Sequence, residues 1–158
     1  MRFHITGLAA DPFRPLFGLP EAELARRNAR RYIADDGDSY PDRIELRHAR
    51  RGEAVLLVNY EHQSAPSPYR AAHAVFVLEG AGPTFDRVGV VPEVLRPRLL
   101  SLRAFDAQHW MIDADVVDGA EVETLIERLF ADPQVAYLHA HFARRGCYAC
   151  RIDRVAAS

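Results

Sequence analysis

Val135-Ala-Tyr-Leu-His-Ala-His-Phe-Ala-Arg-Arg-Gly-Cys-Tyr-Ala-Cys-Arg-Ile-Asp-Arg-Val155 decides how the chain is read. Two apolar-rich runs, Val135–Phe142 and Cys147–Val155, flank an Arg144-Arg145-Gly146 turn. A glycine inside so short a link between two strand-like runs predicts an antiparallel hairpin. Side chains alternate along a strand. One face of the first run therefore carries Val135, Tyr137, His139 and His141, and the other carries Ala136, Leu138, Ala140 and Phe142. Two histidines two positions apart project the same way, with Cα atoms about 7 Å apart on ordinary strand rise.

A second stretch has the same character. In Ala54–His62 the even positions Leu56, Val58, Tyr60 and His62 share a face, opposite Val55, Leu57, Asn59 and Glu61. A Pro-rich turn, Ser64–Pro68, leads into a strand at His73–Glu79. Leu102–Asp106 and Trp110–Val117 read as two more strands across a tight turn, and Arg2–Gly7 as another. Arg43–Arg47 reads as a strand, and Gly80–Pro92 as a loop. Pro20–Arg31 has the proline and acids of a helix start and the arginines of a helix end. In Ala120–Phe130, Val122, Leu125, Ile126 and Leu129 fall on one helical face. Short links between strands favour antiparallel pairing. The expectation is an α+β fold: a single domain over 1–158, with a central, largely antiparallel sheet of about eight strands and two or three helices.

The composition is that of an ordinary globular chain, 158 residues with 49% hydrophobic and 27% charged. A net charge of −2 gives no field for nucleic acid or an anionic membrane surface. No apolar run approaches the roughly 20 residues that cross a bilayer, and Met1–Gly7 is too short and polar for a signal peptide. A cytoplasmic protein is expected, and two cysteines suit that compartment. Cys147 and Cys150 lie three apart on a strand-like run. They are expected as free thiols on opposite faces, neither a zinc site nor a disulfide. All 20 basic residues are arginine, which fits a GC-rich coding sequence.

Chemistry-bearing side chains concentrate in 59–73 and 137–147, which hold four of the seven histidines. Candidate ligand-binding residues are Tyr60, His62, Tyr69, Arg70, His73, His139, His141 and Arg145. Arginines beside neutral histidines suit an anionic small molecule, a carboxylate or a phosphate, with tyrosines as pocket wall. An H-x-H pair on a strand also suits a metal, with His62, His73 or Glu61 as third ligand. The glutamate that follows such a pair in cupin sites is replaced by Arg144 and Arg145, and two positive charges there oppose a cation. No metal, cofactor or catalytic residue is assigned on this reading. The two-histidine phosphoesterases need H-x-[ST] twice, and His73-Ala-Val and His139-Ala-His lack the hydroxyls. The alternatives are an edge strand whose solvent face carries the histidines, and a non-catalytic interaction module, a homodimer formed through a sheet face or edge.

Four blocks carry a family resemblance: N-Y-E-H-Q at 59–63, S-P-Y-R-x-x-H at 67–73, L-R-A-F-D at 102–106 and G-C-Y-A-C-R-I-D-R at 146–154. Together they resemble the bacterial domain family of unknown function DUF1203. The resemblance implies a small stand-alone bacterial protein and adds no activity and no catalytic residue.

Overall fold

The computed structural model describes residues 2–156. The fold is α+β, with nine strands in two antiparallel sheets. The strands are β1 (Phe3–Thr6), β2 (Arg30–Ile33), β3 (Ala54–Gln63), β4 (Ala71–Leu78), β5 (Asp86–Val88), β6 (Leu99–Phe105), β7 (Met111–Asp118), β8 (Tyr137–Phe142) and β9 (Tyr148–Arg154). The helices are α1 (Glu21–Arg26) and α2 (Val122–Phe130), with 3-10 turns at Asp11–Leu16 and Gly119–Glu121. The larger sheet runs β5-β1-β9-β8-β6-β7 and the smaller β2-β3-β4.

The expected α+β fold with antiparallel strands is present, and the strands divide between two sheets. The extra pieces come from segments whose local signals are weak. The helix at Pro20 ends at Arg26, and Asn28 turns the chain with a positive φ of 54°. This frees Arg30–Ile33 to pair with β3. Asp86–Val88, inside the expected 80–92 loop, pairs with β1. Arg43–Arg47 is no strand. Asp42 is fully buried, and its carboxylate accepts from the Leu78 amide at 2.7 Å and the Glu45 amide at 2.6 Å. Leu46 then takes a positive φ of 54°. The segment is a tight turn docked on the small sheet, with the Arg43 amide donating to Phe76 O.

One face of the larger sheet packs on α2. Val122, Leu125, Ile126 and Leu129 are all buried there, as the helical spacing requires, against Leu100, Leu102, Leu138, Ala140 and Ile152. Phe130 completes the helix's contribution. Full burial of such a side chain stabilises by roughly 1.5–3 kcal/mol. On the small sheet, Leu56, Val58, Val75 and Val77 pack with Leu24 of α1, Phe13 and Tyr148 of β9. Tyr148 thus joins the two sheets.

Strand β8 lies between β9 and β6, so it is no edge, and all six of its residues are buried. The Leu138/Ala140 face meets α2. The Tyr137/His139/His141 face meets the small sheet.

A bulge sets the composition of that second face. Ala140 pairs with Cys150, whereas His141 pairs with Tyr148, so Ala149 is the extra residue. The insertion places the Tyr148 ring beside His141. It also removes the alternation assumed for the cysteines. Both thiols are free and buried, as expected, but both join the α2-side core rather than diverging.

Candidate functional site: a histidine cluster beside an arginine-lined cavity

The two histidine-bearing stretches meet. His62, on the even face of β3, stands across from β8. Its ring centroid is 4.8 Å from that of His141 and 6.3 Å from that of His139. One ligating atom from each of the three rings lies within 4.8 Å of the others. His62 stacks on Tyr148 at 5.5 Å with nearly parallel planes. His139 contacts Tyr137, Phe105 and Tyr148. The cluster therefore sits in an aromatic box built from β3, β6, β8 and β9.

Burial dominates its electrostatics. His139 and His141 are pushed down to about 3 and His62 to about 4, mainly because burial penalises the imidazolium. The nearby Arg103 charge lowers all three further, and the histidines depress one another. At neutral pH the three rings are uncharged. The Nδ1–H of His141 donates to the Gly146 carbonyl at 3.0 Å, which leaves its Nε2 as a bare lone pair.

Arg103 is a site residue that the sequence reading missed. The register sets Arg103 opposite Ala114 on one side and His139 on the other. Asp113 faces Ala104. Arg103 therefore shares the face of the histidines.

Beside the cluster lies a cavity of about 650 Å³. Leu57, His73, Ala74 and Phe76 of the small sheet form one wall, and Phe142 and Cys147 of the β8–β9 hairpin form another. Arg43, Arg98, Arg144 and Arg145 line it, with Tyr32 and Tyr40, and among the described residues no carboxylate does. Arg43 is 1% exposed. It donates to the Tyr148 carbonyl at 2.8 Å, the Pro41 carbonyl at 2.6 Å and the Cys147 sulfur at 3.0 Å. Arg98 donates to the Asp38 carbonyl, and its buried Nε has no partner. The guanidinium groups of Arg43 and Arg98 each lie 4.9 Å from the Phe142 ring centre. Burial lowers the pKa of both, yet a guanidinium stays charged in a protein.

The sequence candidates thus divide. His62, His139 and His141 form the cluster. Arg145 and His73 line the cavity, and His73 is close enough to the cluster to act on His62 and His141 electrostatically. Tyr60 is half-buried between Phe13 and Tyr148, opposite His73 in the register. Arg70 and Tyr69 are displaced. Arg70 is exposed and ion-paired with Glu61 at 3.2 Å, and Tyr69 packs on Phe105 and Trp110. The reading missed Arg43, Arg98, Arg103 and Tyr148. One signal was available for Arg103, which alternates with Leu102 and Ala104 on an apolar strand.

The fold and site together define an α+β protein of two antiparallel sheets with a neutral histidine cluster and an arginine-lined cavity. The chain belongs to the family described as protein of unknown function (DUF1203), whose family model matches residues 39–154. That span takes in every cluster and cavity residue named above except Tyr32. No curated protein and no solved structure matches the chain.

Proposed function

We propose that this protein binds a small organic anion, a carboxylate or a phosphate with an apolar body, in the arginine-lined cavity. The observation that carries this reading is the lack of counter-charge. Several arginines elsewhere in the fold hold carboxylates: Arg31 with Glu79 and Glu21, Arg47 with Glu53 and Glu45, Arg96 with Glu123, Arg151 with Asp153. Among the described residues, none of the four cavity arginines has a carboxylate within salt-bridge distance. Arg144 and Arg145 are exposed, but Arg43 is buried and Arg98 half-buried; taking their unpaired charge out of water is expensive, and an anion in the cavity relieves that cost. Arginine forks match carboxylate and phosphate oxygens in pairs. Tyr32, Tyr40, Leu57 and Phe76 supply apolar wall, and the volume is in the range of small-molecule sites. Arg145 and His73, expected as ligand residues, keep that role; Arg70 gives way to Arg98 and Arg43. The setting is the cytoplasm of a bacterium, in keeping with two buried free thiols.

The test is a thermal-shift panel of phosphates, nucleotides and aliphatic and aromatic carboxylates. A ligand at a hundredfold excess over its Kd stabilises by about 2.7 kcal/mol. A saturable rise in melting temperature with an anion, lost in Arg145→Ala and Arg98→Ala, is expected. A panel without any shift contradicts the reading.

A second reading has its own observation. Strand β7 is an unpaired edge, and Trp110, Ile112 and Val116 expose 48%, 40% and 54% of their surface along it. Such an edge favours pairing with a second copy. Sedimentation of the wild type and Val116→Lys separates a dimer formed there from a monomer.

A further inference from the structure

The histidine cluster has no role in anion binding by the cavity. None of His62, His139 and His141 lines that cavity. The cluster also has a defect of its own. His62 Nδ1, His139 Nδ1 and His141 Nε2 are buried and have no hydrogen-bond partner among the described residues. One unsatisfied buried polar atom costs roughly 1–3 kcal/mol. Three at one point demand an account.

We propose that His62, His139 and His141 bind one divalent transition-metal ion of the zinc class, with a coordination position left open. The geometry supports this. One nitrogen from each ring lies within 4.8 Å of the other two. A tetrahedral zinc with bonds of about 2.0–2.1 Å sets its ligand atoms roughly 3.4 Å apart. Small ring rotations reach that spacing. The rings come from two separate sheets, so the ion ties β3 to β8. The hydrogen bond from His141 Nδ1–H to Gly146 O fixes the tautomer and presents Nε2 as the ligand, the support that metal-bound histidines generally have. All three ligands are imidazoles, with no carboxylate and no thiolate among them. That set selects zinc, copper, nickel or cobalt over magnesium and calcium. Three protein ligands and a vacant fourth position is the pattern of catalytic zinc rather than of closed structural zinc.

The arginines that argued against a metal from the sequence are not its neighbours. Arg144 and Arg145 line the cavity, and neither is among the charges that act on the three histidines. Arg103, opposite His139, is the positive charge the ion meets. With a divalent ion, three neutral ligands and Arg103 in one pocket, the open position takes an anion, either hydroxide or an anionic ligand group. Burial keeps the imidazoles uncharged at neutral pH, the form that ligates.

The test uses cobalt(II) as probe on the full chain after chelator treatment. The expected result is one equivalent bound, with the visible absorption of a four- or five-coordinate ion, bleached by added zinc. His139→Gln and His141→Gln each weaken binding at least about a hundredfold. His62→Ala, at the half-buried member of the set, does so without altering the larger sheet, and its circular dichroism reports that the fold survives. His4→Ala and His109→Ala retain full cobalt affinity. Absence of binding by the wild type overturns the proposal, as does binding that survives His62→Ala in a folded protein. Neither result bears on anion affinity in the cavity, which the thermal-shift panel reads separately.

Discussion

Arg43 donates from Nη2 to the sulfur of Cys147 at 3.0 Å, across 104 residues of sequence. The contact joins the 34–49 loop to the β8–β9 hairpin and places a thiol in the wall of the arginine cavity. Cys150, three residues on, is fully buried in the α2-side core, and burial pushes its thiol up to about 12.

This difference between the two thiols is measurable. Alkylation of the native protein near pH 7.5 is expected to modify Cys147 before Cys150. The cavity charge sets the reagent preference. Iodoacetate, relative to iodoacetamide, gains at Cys147 in the native protein over the same ratio in the denatured chain, and Arg145→Ala and added salt reduce the gain. Mass spectrometry of the labelled peptides reads both. Equal rates at the two cysteines contradict the placement of Cys147 in an accessible basic wall.

Arg43→Ala removes three donors at once. The Pro41 carbonyl, the Tyr148 carbonyl and the Cys147 sulfur lose their partner in a buried place, and a void opens beneath Phe142. The expected loss is about 3–5 kcal/mol. Arg145→Ala, on an exposed turn, is expected to lie within ~0.5 kcal/mol of wild type. Urea unfolding of both variants checks the contrast. Similar small losses would mean that Arg43 does not organise the cavity.

The buried histidines make stability depend on pH in a defined direction. His139 and His141 stay neutral in the fold down to about pH 3, whereas in the unfolded chain they titrate near 6.5. Below 6.5 the unfolded chain therefore binds more protons, and acid favours unfolding. The stabilisation is fully present above pH 6.5 and is lost progressively as the pH falls toward 3. Between pH 6.5 and pH 5 each of the two costs about 2 kcal/mol. Chemical denaturation of the metal-free protein over that window checks the slope. His62, lowered to about 4, adds a similar share, so His139→Gln is expected to flatten the slope by about a third. A flat profile in the wild type would mean that the rings are solvated.

The sequence held the strand pattern well where alternation was strong. β3, β4, β6, β8 and β9 fall near their expected bounds because each buries residues on one or both faces, and β7, exposed along most of its length, is found through its alternation and its tight turn from β6. The short pieces were not legible. β2 and β5 have three or four residues and no apolar alternation, so only their partners define them. The division into two sheets was equally hidden, since local periodicity does not say which strands are neighbours.

The site was legible in part for the same reason. The H-x-H pair on β8 and His62 on β3 follow from alternation, and the meeting of the two stretches from their chemistry. Arg43 and Arg98 were not visible, because a turn closed by buried Asp42 and a segment ahead of β6 bring them in from regions without periodic pattern. The bulge at Ala149 changed the faces of the last strand, and no residue type in that run announces it.

The central claim is that the uncompensated arginines bind an anion, and arginine side-chain NMR tests it most directly. The Nε–H signals of Arg43 and Arg98 are followed while phosphate or benzoate is added, with Arg31 and Arg47, which already hold carboxylates, as internal references. The account predicts saturable shifts confined to the cavity arginines, with the Arg98 Nε–H moving most because that group has no partner in the free protein. Shifts of equal size at Arg31 and Arg47, or no shift at Arg98 and Arg43 at any concentration of either anion, would contradict it.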